Sequence, residues 1–486
     1  MPRIKAVCVS DLHLGSETSV LTAVDPSTLG PDINKVSPVL ESFVACLKEI
    51  LRSHDGPGKP QLVLAGDILE LALTTDNVAA TVFTQFARLL LDDPDLPLDP
   101  TIVCVPGNHD HHLWETARES QYVSYLGEPT TSVPLTNVPW HATHLFPWPG
   151  TPGVKNRDVD SCLLTTLLRL VGAASNAHVL AMYPNFGVLS GDNKSRCAVV
   201  HHGHFTESIY HLMTELGKVV FPSRDHPDEI WDVEAENYAW IDFLWGTLGR
   251  SGDIGEEMGM VYKMLKSEKG TRRLVQILAE SILQRFRRPS LLRPIEGPIS
   301  RFALNRLMKS VGGMERGITD ELLSTASRMR LDQYLRQYVR GQLARECKNG
   351  LPERLTFIFG HTHKPFEEVY PIEGIDRPVR VYNTGGWVVD TTKSAPTQGA
   401  AIVVIDEDGN AASVRMYNQS EKPSAYRVRV TRAGDALEPN PLYDAISELV
   451  KPGGPPWSDF SAKVAEVVVQ RHRNLAKVIQ KTSDSP

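Results

Sequence analysis

The run Ile102-Val103-Cys104-Val105, followed by Pro106-Gly107-Asn108-His109-Asp110, sets how this chain is read: an apolar β-type stretch stops, and an amide, an imidazole and a carboxylate come in a row. Four more places repeat the arrangement. Apolar residues 4–9 lead to Asp11-Leu12-His13, residues 62–65 to Gly66-Asp67, residues 197–200 to His201-His202-Gly203-His204, and residues 355–359 to Gly360-His361-Thr362-His363. Every side chain in these clusters that could ligate offers oxygen or nitrogen. Strand ends converging on one edge of a sheet bring residues distant in sequence into a single metal site. Gly66, Gly107 and Gly360 stand directly before candidate ligands, where a chain leaving a strand must turn sharply or let its backbone approach an ion closely.

Around these clusters, β-type runs alternate with helical ones up to about residue 203. Residues 36–51 carry helical spacing through Val39, Phe43, Leu47 and Ile50, and residues 80–91 form a second helical stretch. This alternation predicts an α/β layered domain. Residues 127–160, rich in Pro, Thr and Trp, read as loops and short strands. From 205 to 350 the signal is helical, as in Ile209-Leu212-Met213-Leu216, Leu274-Ile277-Leu278-Ile282-Phe286 and Leu331-Leu335-Tyr338-Val339, with Pro289, Pro294 and Pro298 breaking the run. Strands resume at 355, 379–383, 401–405 and 412–417. Three units are expected: a core of residues 1–204 and 351–420, a helical insertion or cap of residues 205–350, and a short C-terminal appendage of residues 421–486 ending in a helix near 461–479.

The 486 residues have the composition of an ordinary globular protein. The six cysteines show no close pairing, and Cys8, Cys104 and Cys197 fall in predicted core strands, so reduced, buried thiols in a cytoplasmic protein are expected. The first strand begins so early that no room is left for a signal peptide, and no apolar run is long enough to span a bilayer. The formal charge of −7 is unevenly spread, because residues 272–345 hold fifteen Lys or Arg against six Asp or Glu. That surplus is either a surface for an anionic partner or a set of solvated helical faces. Residues 272–288 read more readily as a helix packed on the core with arginines at its rim than as a membrane-surface helix.

The chemistry that needs such clusters is phosphate ester hydrolysis. An anion must be attacked by a nucleophile scarce at neutral pH, and two cations a few ångströms apart answer both difficulties. One carboxylate must bridge them, with His and Asn as neutral donors around it. The five blocks, in this order and without a gap, resemble the signature of the calcineurin-like metallophosphoesterases: Asp-x-His, Gly-Asp, Gly-Asn-His-Asp/Glu, His, and Gly-His-x-His. An isolated Asp or His at a strand end is ordinarily a cap or a loop hydrogen-bonder, and the joint match is what makes the pattern specific.

The resemblance implies a four-layer α/β/β/α sandwich and a dinuclear centre. Asp11, His13 and His363 would hold one divalent ion; Asn108, His202 and His361 would hold the other, and Asp67 would bridge them. His202 is preferred in the fourth block because His202-Gly203-His204 looks like the His-Gly-His form of some branches, with His201 as the alternative. His109 would protonate the leaving-group oxygen or stabilise its charge, and Asp110 would orient His109 or a residue supporting a ligand. His111 and His112 read as loop or helix-start residues. Manganese comes first among the metals such ligands suit, with Fe, Zn, Co and Ni as the others. The implied reaction is in-line attack of a metal-bound hydroxide on phosphorus, without a covalent enzyme intermediate, at a monoester, diester or pyrophosphate bond.

Three details resemble the UDP-diacylglucosamine hydrolase-like branch: Ser10-Asp11-Leu12-His13-Leu14-Gly15, Lys364-Pro365, and Tyr382-Asn383-Thr384-Gly385-Gly386-Trp387. They imply a phosphorylated small-molecule or lipid-like substrate and, through the basic insertion, peripheral contact with an anionic membrane. The insertion is much longer than that branch's usual cap, and His109 stands where those hydrolases commonly carry Arg. A nuclease of the same fold acting on DNA or RNA is the alternative, although no aromatic platform with interleaved basic residues stands out. A non-catalytic scaffold is the remaining reading; such proteins typically lose ligands, and none is missing here.

Overall fold

Two sheets stand face to face, and the two-residue alternation of their strands decides which side chains meet between them. In the computed structural model the described residues are 2–127, 141–146, 159–190, 195–207, 227–241, 320–347, 350–434, 438–451 and 453–483, with positions 210, 211, 214 and 223. Strands are β1 Ile4–Val9, β2 Gln61–Leu64, β3 Thr101–Cys104, β4 His178–Ala181, β5 Asn185–Ser190, β6 Arg196–His201, β7 Arg354–Phe359, β8 Phe366–Tyr370, β9 Val379–Asn383, β10 Gly399–Asp406, β11 Ala411–Asn418 and β12 Arg429–Thr431. Helices are α1 Pro38–Arg52, α2 Asp76–Leu91, α3 His112–Leu126, α4 Cys162–Leu170, α5 Ile230–Ile241, α6 Thr325–Gln333, α7 Arg340–Glu346, α8 Pro441–Leu449 and α9 Trp457–Ser483.

The first sheet runs β12-β11-β10-β1-β2-β3-β4 and the second β5-β6-β7-β9-β8. Strands β1 to β4 are mutually parallel, as are β6, β7 and β9. Their carboxyl ends therefore emerge at common edges. Ala6, Cys8, Val63 and Val103 of the first sheet meet Phe186, Ala198, Val200 and Ile358 of the second in one apolar layer. The alternate residues Val7, Val9, Leu62 and Ile102 face outward onto Phe43, Leu47, Phe83, Phe86 and Leu167 of the helices. On the other side Val199, Phe357 and Val381 pack on Leu331, Tyr334, Leu335 and Tyr338. Helix, sheet, sheet, helix is the order, as expected for this fold class.

Helix α1 begins where its sequence says it should. Ser37 accepts the N–H of Val39 and Pro38 opens the first turn; a cap of this kind contributes about 1 kcal/mol. Residues 320–347 form the described part of the insertion's return, in which α6 and α7 are joined by π-helical turns over Tyr334–Val339. The expected apolar stripe Leu331-Leu335-Tyr338-Val339 is buried there. The basic segment's described arginines are engaged within the chain. Arg328 pairs with Glu368, Arg336 with Glu373, Arg345 with Glu229, and Arg330 donates to the Thr206 carbonyl. The stretches 272–288 and 289–298, the 209–216 stripe as a whole and most of 127–160 lie outside the described residues.

The C-terminal segment is seated on the first sheet. Strand β12 extends it, and Trp457, Phe460, Val464 and Val468 of α9 enter the same apolar cluster as Phe43 and Leu47. Arg471 donates to the Ser19 carbonyl over 3.2 Å, and His472 Nδ1 lies 2.7 Å from the Thr391 carbonyl. Cys8, Cys104 and Cys197 are buried free thiols in strands. Among the described residues no helix is long and apolar enough to cross a membrane.

Candidate metal centre

The five clusters follow β1, β2, β3, β6 and β7, and backbone contacts tie the loops together. Asp11 N–H donates to the Gly66 carbonyl over 2.9 Å, His13 N–H to the Asp67 carbonyl over 2.9 Å, and Gly360 N–H to the His202 carbonyl over 2.7 Å. Each loop must turn within one or two residues. Six described residues other than glycine lie in the left-handed backbone region, and five are Asp11, His13, Asp67, His361 and His363. Such backbone costs of order 1–3 kcal/mol per residue and persists where function over-determines it.

Asp11, His13 and His363 present ligand atoms within 4.8 Å of one another, as do Asp67, His202 and His361. Both groups are fully buried. Asn108 joins the second, its Oδ1 lying 3.1 Å from His202 Nε2. The carboxylate of Asp67 stands between the groups: Oδ1 accepts the N–H of His109 over 2.8 Å, while Oδ2 lies 3.6 Å from His13 Nε2 and 3.4 Å from His202 Nε2. Thus Oδ2 is the oxygen shared by both sides.

The imidazoles are oriented from behind. His202 Nδ1 lies 3.2 Å from the Ala65 carbonyl, which fixes a proton on Nδ1 and turns Nε2 toward Asp67. His363 Nδ1 bonds Asp390 Oδ2, leaving Nε2 buried, without a hydrogen-bond partner and 3.4 Å from Asp11 Oδ1. A buried nitrogen aimed at a carboxylate in this way suits a cation, as does the oxygen and nitrogen donor set around it. Glu70 holds two rings at once, Oε2 at 2.9 Å from His13 Nδ1 and Oε1 at 2.7 Å from His109 Nδ1. Burial pushes the Asp67 carboxyl up, but His202 and His109 outweigh it and leave the group well below the usual carboxylate range. Burial pulls His202 down, yet Asp67 and the other carboxylates carry it up to about 9. That field of negative charge is one that bound cations would neutralise.

Some expectations need correction. Asp110 does not orient His109; its carboxylate accepts the N–H groups of Gly107 at 2.6 Å, Ile68 at 2.7 Å and Asp67 at 3.2 Å, so it shapes the loop that carries Asp67. Glu70 takes the place next to His109. Between the two histidines of the fourth block, His202 faces the cluster, whereas His201 points to the opposite layer against Phe205 and Tyr334. Adjacent residues on a strand cannot share a face. His201, His204 and Glu234 form a further buried trio. His201 Nδ1 accepts the Gly203 N–H over 2.7 Å, which puts the neutral ring's proton on Nε2 and makes it a donor rather than a ligand. His111 precedes α3 and packs on Tyr183, and His112 opens the helix. Glu70 and Asp390 were not anticipated; Glu70 had a faint signal in lying three residues past Asp67.

Close approach explains one glycine directly. A Cβ at Gly107 would lie 2.3 Å from Asp67 Oδ1 and 2.6 Å from its backbone nitrogen. Gly107→Ala is expected to cost about 1–3 kcal/mol of stability and to lower metal content. Thermal melting and elemental analysis check this; a variant matching the parent in both would mean the loops are looser than described.

Residues 4–204 match the family model for calcineurin-like phosphoesterases. That segment belongs to this family, whose members are metal-dependent hydrolases of phosphoester bonds. It contains Asp11, His13, Asp67, Asn108, His109 and His202, while His361 and His363 are brought to the same rim by β7 from beyond it. No curated protein matches the chain. Among solved structures the chain is similar to the phosphopantetheinyl hydrolase PptH from Mycobacterium tuberculosis, at 14% identity over 79% of this chain and 91% of that one, with a TM-score of 0.22.

Proposed function

We propose that the chain hydrolyses a phosphoester or pyrophosphate bond of a small phosphorylated molecule at a dinuclear centre, with manganese as the first metal to test. One observation carries the reading: Asp67 Oδ2 lies within 3.6 Å of the Nε2 atoms of both His13 and His202, each of which belongs to a separate ligand group. Asp11, His13 and His363 would hold one cation and Asn108, His202 and His361 the other, with Asp67 common to both. When bound, such a pair would neutralise phosphoryl oxygens and lower the pKa of water held between the ions.

The chain's own residues have distinct parts. Glu70 accepts from His109 Nδ1 and supports the imidazolium, whose Nε2–H is the proton donor toward the leaving-group oxygen. Asp110 accepts the backbone N–H of Asp67 and the N–H of His109 donates to the Asp67 carboxylate, so the side chain is held in place before any ion arrives. His109→Ala is expected to leave metal content unchanged and to lower kcat on the order of a hundredfold. Loss of metal in that variant would instead make His109 part of the metal-holding set. The reading as a whole is tested by elemental analysis and an aryl phosphate ester assay on the Mn-loaded protein. Two ions per chain and turnover are expected; little bound metal and no turnover would favour a scaffold.

A further inference from the structure

At the opposite end of the second sheet, strand register places three arginines side by side. Arg196 on β6 stands across from Arg354 on β7, and Arg380 on β9 stands across from Thr356, two residues along. By alternation all three share the face of Ala198, Val200, Ile358 and Tyr382, which is turned toward the first sheet. They line the rim between the sheets at the amino ends of these strands. The candidate metal centre lies past the carboxyl ends, roughly 16 Å away along β7 from the strand rise.

Like charges directly across adjacent strands destabilise a sheet, so this row needs an anion. Among the described residues one carboxylate serves it. Glu438 Oε1 is 2.9 Å from Arg354 Nη1 and Oε2 is 2.5 Å from Arg380 Nη2. Arg196 spends its Nη1 on two neutral oxygens, the Asp408 carbonyl at 2.7 Å and Asn410 Oδ1 at 3.1 Å. The two other acids at the cleft are already engaged, Glu367 by Arg415 at 2.6 Å and Glu368 by Arg328 at 2.6 Å. Arg432 is held against the cleft by the Glu438 carbonyl and stacks on Tyr443, and the exposed Arg377 makes no ion pair among the described residues. Arg354, Arg377, Arg380 and Arg432 line a cavity of about 580 Å³, together with Glu438 and the two engaged acids, while Arg196 stands beside it. Burial and then the neighbouring Arg196 hold the Arg354 guanidinium below its ordinary range, against the opposing effect of Glu438.

We propose that this cleft binds the phosphate group of a small phosphorylated molecule, at a site separate from the metal centre. The guanidinium forks of Arg354 on β7, Arg380 on β9 and the adjoining Arg377 and Arg432 match phosphate oxygens, and a concave site of this volume suits a metabolite rather than an extended polyanion. The source is either free phosphate or a phosphorylated organic molecule.

Isothermal titration of the full-length, metal-loaded protein with inorganic phosphate, and separately with ADP, tests this. Expected is a binding event that survives Asp67→Asn, weakens on the order of tenfold in Arg377→Gln and weakens further in Arg354→Gln. Arg377→Gln removes an exposed, unpaired side chain, so it serves even where Arg354→Gln fails to fold. Tighter binding of ADP than of phosphate would assign the organic source, and equal binding the free anion; both support the site. Binding that vanishes in Asp67→Asn, that ignores both arginine substitutions, or that is seen with duplex DNA but with neither small anion overturns it.

Discussion

Asp67→Asn should leave the protein folded, strip it of most of its metal and lower turnover on the order of a thousandfold or more. The substitution is nearly isosteric, and the N–H of His109, which donates to Oδ1 over 2.8 Å, selects the amide's orientation. The amide oxygen must stay where it accepts that bond, so the NH2 group replaces Oδ2, the atom set between His13 Nε2 and His202 Nε2. Two hydrogens and no charge would then point where, on the proposed reading, two cations would share an anion. Neither ion keeps its common ligand, and both affinities fall together. Elemental analysis after dialysis gives the metal content, thermal melting reports the fold, and an aryl phosphate ester assay gives the rate. Near-parental metal content and rate would remove the bridging role, and with it the dinuclear reading.

What could be read beforehand was whatever the chain announces locally. An apolar run followed by a turn and polar donors marks a strand end, and all five marked ends lie at the ends of β1, β2, β3, β6 and β7. His202 is preferred to His201 in the sequence on its likeness to a His-Gly-His form, and in the structure strand alternation is the physical reason that the two rings point apart. Glu70 and Asp390 escaped for a different reason. Each is a lone carboxylate in a loop, and its role arises from where the fold sets it against His13, His109 or His363. Of the two roles expected of Asp110, contact with His109 is the one its side chain does not make, because it turns back onto the backbone of its own loop and of the neighbouring one that carries Asp67. The C-terminal helix was legible as a helix near residues 461–479, but its partner α1 lies some four hundred residues earlier, and no local pattern names a partner at that distance.

Glu70 carries the second large effect, because one carboxylate fixes the tautomers of two histidines with different tasks. Held well below the ordinary carboxylate range by His109 and His13 despite burial, it accepts from both Nδ1 atoms, which leaves the Nε2 lone pair of a neutral His13 for a cation and lets His109 carry its second proton on Nε2. Glu70→Gln retains the shape but offers one acceptor and one donor. Only one ring can keep its Nδ1 proton; the other must move its proton to Nε2 or turn away. If His13 yields, a ligand would be lost, and if His109 yields, its imidazolium loses the carboxylate that stabilises it and Nε2 no longer serves as the proton donor. Turnover is expected to fall on the order of a thousandfold at limiting metal and on the order of a hundredfold once metal is saturating, since excess ion restores occupancy but not His109. A merely structural role would not produce that split. The sharper measurement is the double variant: in a His109→Ala background at saturating metal, Glu70→Gln should cost almost nothing more, because the ring it positions is already gone. A full additive loss there would show that Glu70 acts on the rate through some other group.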